Sequence, residues 1–358
     1  MAMCRSGWER WFTVQAIGLR LVFSVRLYHP GRNSVGLPDF LVTISPLWGE
    51  RTKLTEGVIR IAEGGDCTHK NQDRLMNVKS ILSRLRSGDV QYVFGRFRVV
   101  RIAYSHIRRL WETVFRVSAE ISGRKTLFPD IDVGQAVETI REDAVFLGIC
   151  LPATVVREVD TFCRCTPLFA RHDPDGPTFF HHDVIRGHAP DGRPTPTGSI
   201  RDAMSCGAVR AIVEDPVLRA IARNYLGYEP DTDAPILYWS LASDFTDEER
   251  RRLEQHAIDF HYDVGGLNFV YASFYILDTD RYSGAHVMMR RSHDRKSLRM
   301  LFGPAVASEA LVYQRFGREN ELVIEGPAGT GFIQDAACYH RASPPIHADR
   351  LMLQIRFH

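Results

Sequence analysis

From Pro235 to the C-terminus the sequence is a succession of short apolar runs separated by Gly, Asp and Pro. "PILYWSLASDF", "LNFVYASFYILDTD", "GAHVMM", "ELVIEG", "GTGFIQDAAC" and "RLMLQIRF" each have the length and the β-branched or aromatic content of a strand. Strands this short and this numerous need a second sheet to bury their apolar faces. The expected fold is therefore mainly β with flanking helices, built on a two-sheet jelly roll, a double-stranded β-helix of the cupin-like kind.

Helical patterns lie upstream. "DVGQAVETIRED" reads as a helix capped by Asp132. "AVFLGICL" reads as a short buried strand, and "PATVVREVDTFCRC" as a second helix with Pro152 in its first turn. "DPVLRAIARNYLG" is a helix stopped by Gly227. "YSHIRRLWETVFRVSAEISG" sets Ile107, Leu110, Trp111, Val114 and Val117 on one stripe beside Arg108, Arg109 and Arg116. "NVKSILSRLRSG" is a shorter helical pattern, and residues 172–200, rich in Pro, Gly, Asp and His, read as loop. Residues 1–75 keep no steady period of 2 or 3.6. Three segments follow: an N-terminal extension, 1–75; a basic helical segment, 76–130; and a β-rich domain, 131–358. The extension reads either as an accessory module or as the product of a start codon assigned upstream of Met76.

The chain has 358 residues, 44% hydrophobic and 25% charged, enough for a sizeable core. Its net charge of +2 conceals an asymmetry: residues 1–125 hold 21 Lys+Arg against 10 Asp+Glu, and the remainder 24 against 33. A basic segment suits an anionic partner, and it equally suits a solvated face; no nucleic-acid partner is expected. The seven cysteines have no disulfide-framework or zinc spacing, which fits reduced thiols and a cytoplasmic protein. The apolar stretch "AIGLRLVFSVRL" is broken by Arg20 and Arg26, so neither a membrane span nor a signal peptide is expected.

The chemistry-bearing stretch is "DFHYDVGGLNF". In a strand, His261 and Asp263 project to the same face and can converge on one ion, with Tyr262 between them. "ACYHRASPP" offers His340 as a third ligand after a gap of 76 residues. Two histidines and one carboxylate with open positions suit non-haem Fe(II). Arg350 opens the last strand, where its planar fork suits the distal carboxylate of 2-oxoglutarate; Arg356 is the alternative anchor. His181-x-Asp183 is a second His-x-Asp, but it sits in the Pro/Gly-rich loop and reads as polar loop at a site mouth. Tyr262, Tyr238 and Trp239 are the substrate-pocket candidates, whereas Arg341, His286 and His293 read as structural.

At these residues the sequence resembles the phytanoyl-CoA dioxygenase-like family of Fe(II)/2-oxoglutarate oxygenases. "FYILDTDRYSGAHVMMRRSHDRK" is similar to that family's strand, acidic turn, strand and "GSH"-type segment, here Arg291, Ser292 and His293. "GTGFIQDAACYHRASPP" followed by "DRLMLQIRF" is similar to its closing block, and the resemblance covers roughly residues 130–358. It implies Fe(II) on His261, Asp263 and His340, 2-oxoglutarate anchored by Arg350, O₂ as co-substrate, and hydroxylation of an unactivated C–H in a small-molecule or conjugated metabolite. The carboxylate of Asp263 separates the chain from halogenating relatives; desaturation and epimerisation stay open. Two rival readings share the scaffold: a cupin-like isomerase or epimerase, which does not need Arg350, and a non-catalytic metal-binding jelly roll. Substrate identity and oligomeric state are not readable from the residues.

Overall fold

The computed structural model describes residues 9–16, 19–27, 40–46, 90–115, 125–254 and 257–358. The chain divides into two compact units, Met1–Lys70 and Asn71–His358. In the first, β1 (Glu9–Ala16), β2 (Leu19–Leu27) and β3 (Phe40–Pro46) form an antiparallel sheet in chain order. The expectation of no regular pattern in 1–75 is corrected to that extent. "LVFSVRL" pairs along its whole length although Arg26 interrupts its apolar run. The helical pattern at 77–88 lies outside the described residues.

The second unit opens with α1 (Val90–Phe94), α2 (Arg98–Phe115), α3 (Val133–Asp143), β4 (Val145–Cys150) and α4 (Ala153–Cys165). Next come β5 (Phe169–Ala170), β6 (Thr197–Ser199), α5 (Gly207–Val213), α6 (Pro216–Leu226), β7 (Ile236–Ser240) and α7 (Asp247–Glu254). The remainder is β8 (Val270–Tyr275), β9 (His286–Met289), α8 (Leu298–Phe302), α9 (Glu309–Phe316), β10 (Glu321–Ile324), β11 (Thr330–Gln334), β12 (His340–Ala342) and β13 (Arg350–Phe357). The caps are those expected: Asp132 accepts the Gln135 N–H at 3.0 Å, and Gly227 stops α6 at φ 84°. Residues 172–200 are more ordered than a loop. They contain a short 3₁₀ turn, His181–Asp183, and end in β6. Among the described residues no helix is long and apolar enough to cross a membrane.

Seven strands form one antiparallel sheet in the order β4-β11-β8-β13-β7-β6-β5, and three form a second, β10-β9-β12. After β7 the chain passes back and forth between them, with β9 and β10 consecutive in the small sheet. β8, β11 and β13 join the large sheet; β9, β10 and β12 join the small one. His261, between β7 and β8, bridges His340 and so extends the small sheet by one more crossing. That path is a double-stranded β-helix with helices outside.

Strand parity decides what reaches the interior. Leu237, Trp239, Ala272, Phe274, Leu351, Leu353 and Ile355 face outward and pack against α3, α4, α5 and α6 in the main core. The intervening Tyr238, Tyr275 and Met352 face inward and meet Met288 and Ile324 of the small sheet.

The stripe on α2 is placed differently from its sequence reading. Leu110 and Val114 are 57% and 71% exposed, and the buried residue of α2 is Arg101. Polar contacts hold this helix. Arg101 bonds Asn268 at 3.0 Å, Asn268 bonds Ser105 at 2.9 Å, Glu112 accepts the Glu229 N–H at 3.0 Å, and Arg108 stands over the Tyr228 ring. Val117 lies outside the described residues.

Candidate metal centre

His261, Asp263 and His340 are the one group of three metal-type side chains that converges among the described residues, their ligand atoms all within 4.8 Å of one another. Backbone pairing brings them together. The His261 N–H donates to the His340 carbonyl at 2.9 Å and the His340 N–H to the His261 carbonyl at 2.7 Å. The Asp263 N–H donates to the Ala336 carbonyl at 2.8 Å, which ties the segment carrying the carboxylate to the turn before His340. Asp263 lies 3.9 Å from His261 Nε2 and 3.8 Å from His340 Nε2.

The tautomers follow from these surroundings. His261 Nδ1 lies 2.9 Å from the Asp259 carbonyl and His340 Nδ1 lies 2.9 Å from the Cys338 carbonyl. A carbonyl only accepts, so each Nδ1 carries the proton and each Nε2 offers a lone pair toward Asp263. Burial and the neighbouring His261 push His340 down to about 4, so it is neutral at physiological pH and ready to ligate. The Tyr271 hydroxyl is raised by burial first and by the nearby Asp263 carboxylate next, so it stays protonated beside that carboxylate.

The three open onto a cavity of about 430 Å³, also lined by Arg350, Tyr238, Ser240, His286 and Met352. Arg350 is buried. It donates to Ser240 Oγ at 2.9 Å, to the Tyr238 hydroxyl at 3.4 Å and to the Gly284 carbonyl. Its Nε has no partner, and none of its bonds among the described residues goes to a carboxylate. A buried guanidinium with a spare donor fits a carboxylate ligand, as three convergent N, N and O donors fit a divalent ion.

Arg356 is placed elsewhere. It shares the inward parity of Arg350 but lies six residues along β13, roughly 20 Å away at the strand's rise. There it pairs with Asp233 and does not line the cavity. Two pocket candidates are corrected. Trp239 faces outward by parity, is fully buried in the main core and stacks on His181 at 3.7 Å. Tyr262, alternating with its two neighbours, points away from the cavity and packs edge-on against Tyr339. Tyr238 lines the cavity.

His181 and Asp183 do not converge on an ion. His181 binds Asp349 at 2.8 Å, and Asp183 accepts the Phe180 N–H. His286, read as structural, reaches the cavity wall: it stacks on His340 at 5.3 Å and bonds Gln334 at 2.8 Å. The available signal was its position two before Met288, which pairs with His340. Arg341 is tied to Glu309 and Glu321, and Ser292 of the "RSH" segment accepts the Tyr339 N–H at 2.7 Å.

No family model matches the sequence, and no curated protein matches it. Solved structures do. The non-heme alpha-ketoglutarate-dependent epimerase SnoN from nogalamycin biosynthesis is 15% identical, with 63% of this chain and 82% of that one covered, at a TM-score of 0.40. EvdO2 from Micromonospora carbonacea var. aurantiaca, complexed with 2-oxoglutarate, is 14% identical over 65% of this chain and 93% of its own, at 0.44. EctD from S. alaskensis, with bound Fe, is 14% identical over 68% and 82%, at 0.42.

Proposed function

We propose that the chain is an Fe(II)- and 2-oxoglutarate-dependent oxygenase of the phytanoyl-CoA dioxygenase-like kind, hydroxylating an unactivated C–H of a small molecule. The observation that carries this reading is one cavity holding both halves of the requirement: two imidazole Nε2 atoms and a carboxylate converge at its floor, and the buried, carboxylate-free Arg350 lines the same space.

On this reading His261, Asp263 and His340 hold the ion. Fe(II) with 2-oxoglutarate supplies the electrons that activate O₂ for oxidation of a C–H bond. Arg350 binds the far carboxylate of 2-oxoglutarate through the donors not used by Ser240, Tyr238 and Gly284. The Asp259 and Cys338 carbonyls keep both imidazoles in the ligating tautomer, and the Asp263 N–H bond to the Ala336 carbonyl fixes the backbone that carries the carboxylate. His286, Phe332 and Met352 form apolar or neutral surroundings that exclude water from the reacting centre.

The test is calorimetric titration of the full-length protein with Mn(II), then 2-oxoglutarate, followed by succinate assay with Fe(II) under air. Metal-dependent 2-oxoglutarate binding and succinate formation are expected. Metal binding without any 2-oxoglutarate binding would instead favour a cupin-like isomerase.

A further inference from the structure

Besides Arg350 and the paired Arg341, the cavity is lined by a third guanidinium, that of Arg171. Arg171 follows β5, and its N–H donates to the Thr197 carbonyl at 3.0 Å. Thr197 lies opposite Ser240, and Ser240 lies opposite Arg350. One row across the large sheet therefore runs Arg171, Thr197, Ser240, Arg350, which separates the two arginine backbones by three strand spacings, roughly 14 Å. Their guanidinium groups approach the same ring: Arg171 lies 5.4 Å and Arg350 5.6 Å from the Tyr238 centroid. Arg171 is exposed at the mouth, next to His172, and has no carboxylate partner among the described residues.

Charge decides what this cation is for. The charged side chains of the cavity, histidines aside, are Arg171, Asp263, Arg341 and Arg350. Arg341 is offset by Glu309 and Glu321. On the oxygenase reading, on which this inference rests, Asp263, a divalent ion, Arg350 and the 2-oxoglutarate dianion cancel. Arg171 then remains as the uncompensated charge at the open end. We infer that Arg171, with His172 beside it, receives a carboxylate of the substrate, so that the substrate class is small monocarboxylates. A phosphate monoester, carrying close to two charges, would overshoot the single free cation. The carboxylate sits against the guanidinium as a charge-assisted pair, while the Tyr238 ring, 5.4 Å from the guanidinium carbon, backs that group.

The test uses the full-length protein loaded with Mn(II) and 2-oxoglutarate. Straight-chain carboxylates from acetate to octanoate, the matching primary amides and the matching alkyl phosphates are titrated in turn. At least one carboxylate is expected to bind roughly tenfold or more tightly than its amide, as loss of a charged hydrogen bond requires. Arg171→Gln is expected to abolish that preference and Arg171→Lys to keep part of it, with 2-oxoglutarate affinity the same in all three proteins. The inference is overturned if no carboxylate binds, if the preference survives in Arg171→Gln, or if alkyl phosphates bind best. It is equally overturned if Arg171→Gln weakens 2-oxoglutarate instead. A wild-type protein that takes up neither Mn(II) nor 2-oxoglutarate defeats the oxygenase reading itself, and that outcome is seen before any carboxylate is added.

Discussion

Arg101 of α2 places its guanidinium 2.7 Å from the carboxylate of Asp335, and both groups are buried. Asp335 follows β11 and begins the turn that leads to His340. Its carboxylate also accepts from the Tyr225 hydroxyl at 2.6 Å and from the Ala337 N–H at 2.9 Å, and its carbonyl accepts from Cys338. Burial opposes its charge, yet Arg101 and the Tyr225 hydroxyl hold its carboxyl at about 2. The next residue, Ala336, receives the Asp263 N–H. A helix outside the β-helix thus braces the turn that leads to His340 and accepts the Asp263 N–H.

Breaking this pair leaves a buried charge. Arg101→Met is expected to lower the unfolding free energy by about 3–5 kcal/mol, read by urea titration, with Mn(II) affinity weakened in the folded fraction. A chain beginning at Met76 keeps α2 and is expected to remain soluble and to bind Mn(II) and 2-oxoglutarate. A chain beginning at Asp132 is expected to lose both properties. Equal behaviour of the two truncations would show that α2 is dispensable.

His261→Ala, Asp263→Ala and His340→Ala should each weaken Mn(II) binding more than about 100-fold, since losing a ligand costs more than losing its support. His181→Ala, which removes only the stack on Trp239 and the bond to Asp349, should leave Mn(II) affinity unchanged. Calorimetry separates these outcomes, and metal loss in His181→Ala would move the centre to the earlier His-x-Asp.

Arg350→Ala should raise the dissociation constant for 2-oxoglutarate by roughly 100-fold, the worth of a bidentate charged contact, with Mn(II) affinity little changed. Arg356→Ala breaks the pair with Asp233 and should leave 2-oxoglutarate affinity as it is. A 2-oxoglutarate defect confined to Arg356→Ala would reverse the assignment.

Acid should destabilise the metal-free protein early. Burial, then His261, lowers His340 to about 4, and burial with His340 and Arg350 holds His286 well below its ordinary range. In the unfolded chain both titrate near 6.5. Stability is therefore fully present above about pH 6.5 and is lost as pH falls toward 4, because the unfolded state takes up the protons first. His340 alone accounts for about 3 kcal/mol of that loss. Urea midpoints between pH 7 and 4 should decline in the wild type and less steeply in His340→Asn.

Much of the β-helix is legible because its strands alternate in β-branched and aromatic residues and its helices carry their caps. Asp132, Pro152 and Gly227 mark ends that the backbone then adopts. The convergence of His261, Asp263 and His340 is also legible, since parity alone puts the first two on one face. What parity could not give without a register was the side each strand turns inward. Tyr238 and Trp239 are neighbours of similar composition, and only the pairing of β7 with β13 separates wall from core. Arg101 and Arg171 escaped for a different reason. A lone arginine on a helix or in a Pro-rich segment resembles solvated charge until a distant partner, Asp335 or Tyr238, is brought beside it. The apolar stripe of α2 misled because hydrophobic periodicity reports a face and not its occupant.

The reciprocal backbone bonds between His261 and His340 have a kinetic consequence. The ligands are neighbours only after the 76 residues between Asp263 and His340 have been threaded into both sheets. Closing so long a segment is a late event in a chain dominated by distant pairings. On the oxygenase reading, an ion could not template folding from the outset; it would enter the folded double-stranded β-helix through the cavity. Once bound there, it would cross-link the two ends of that long segment, so metal loading should slow unfolding far more than it speeds folding.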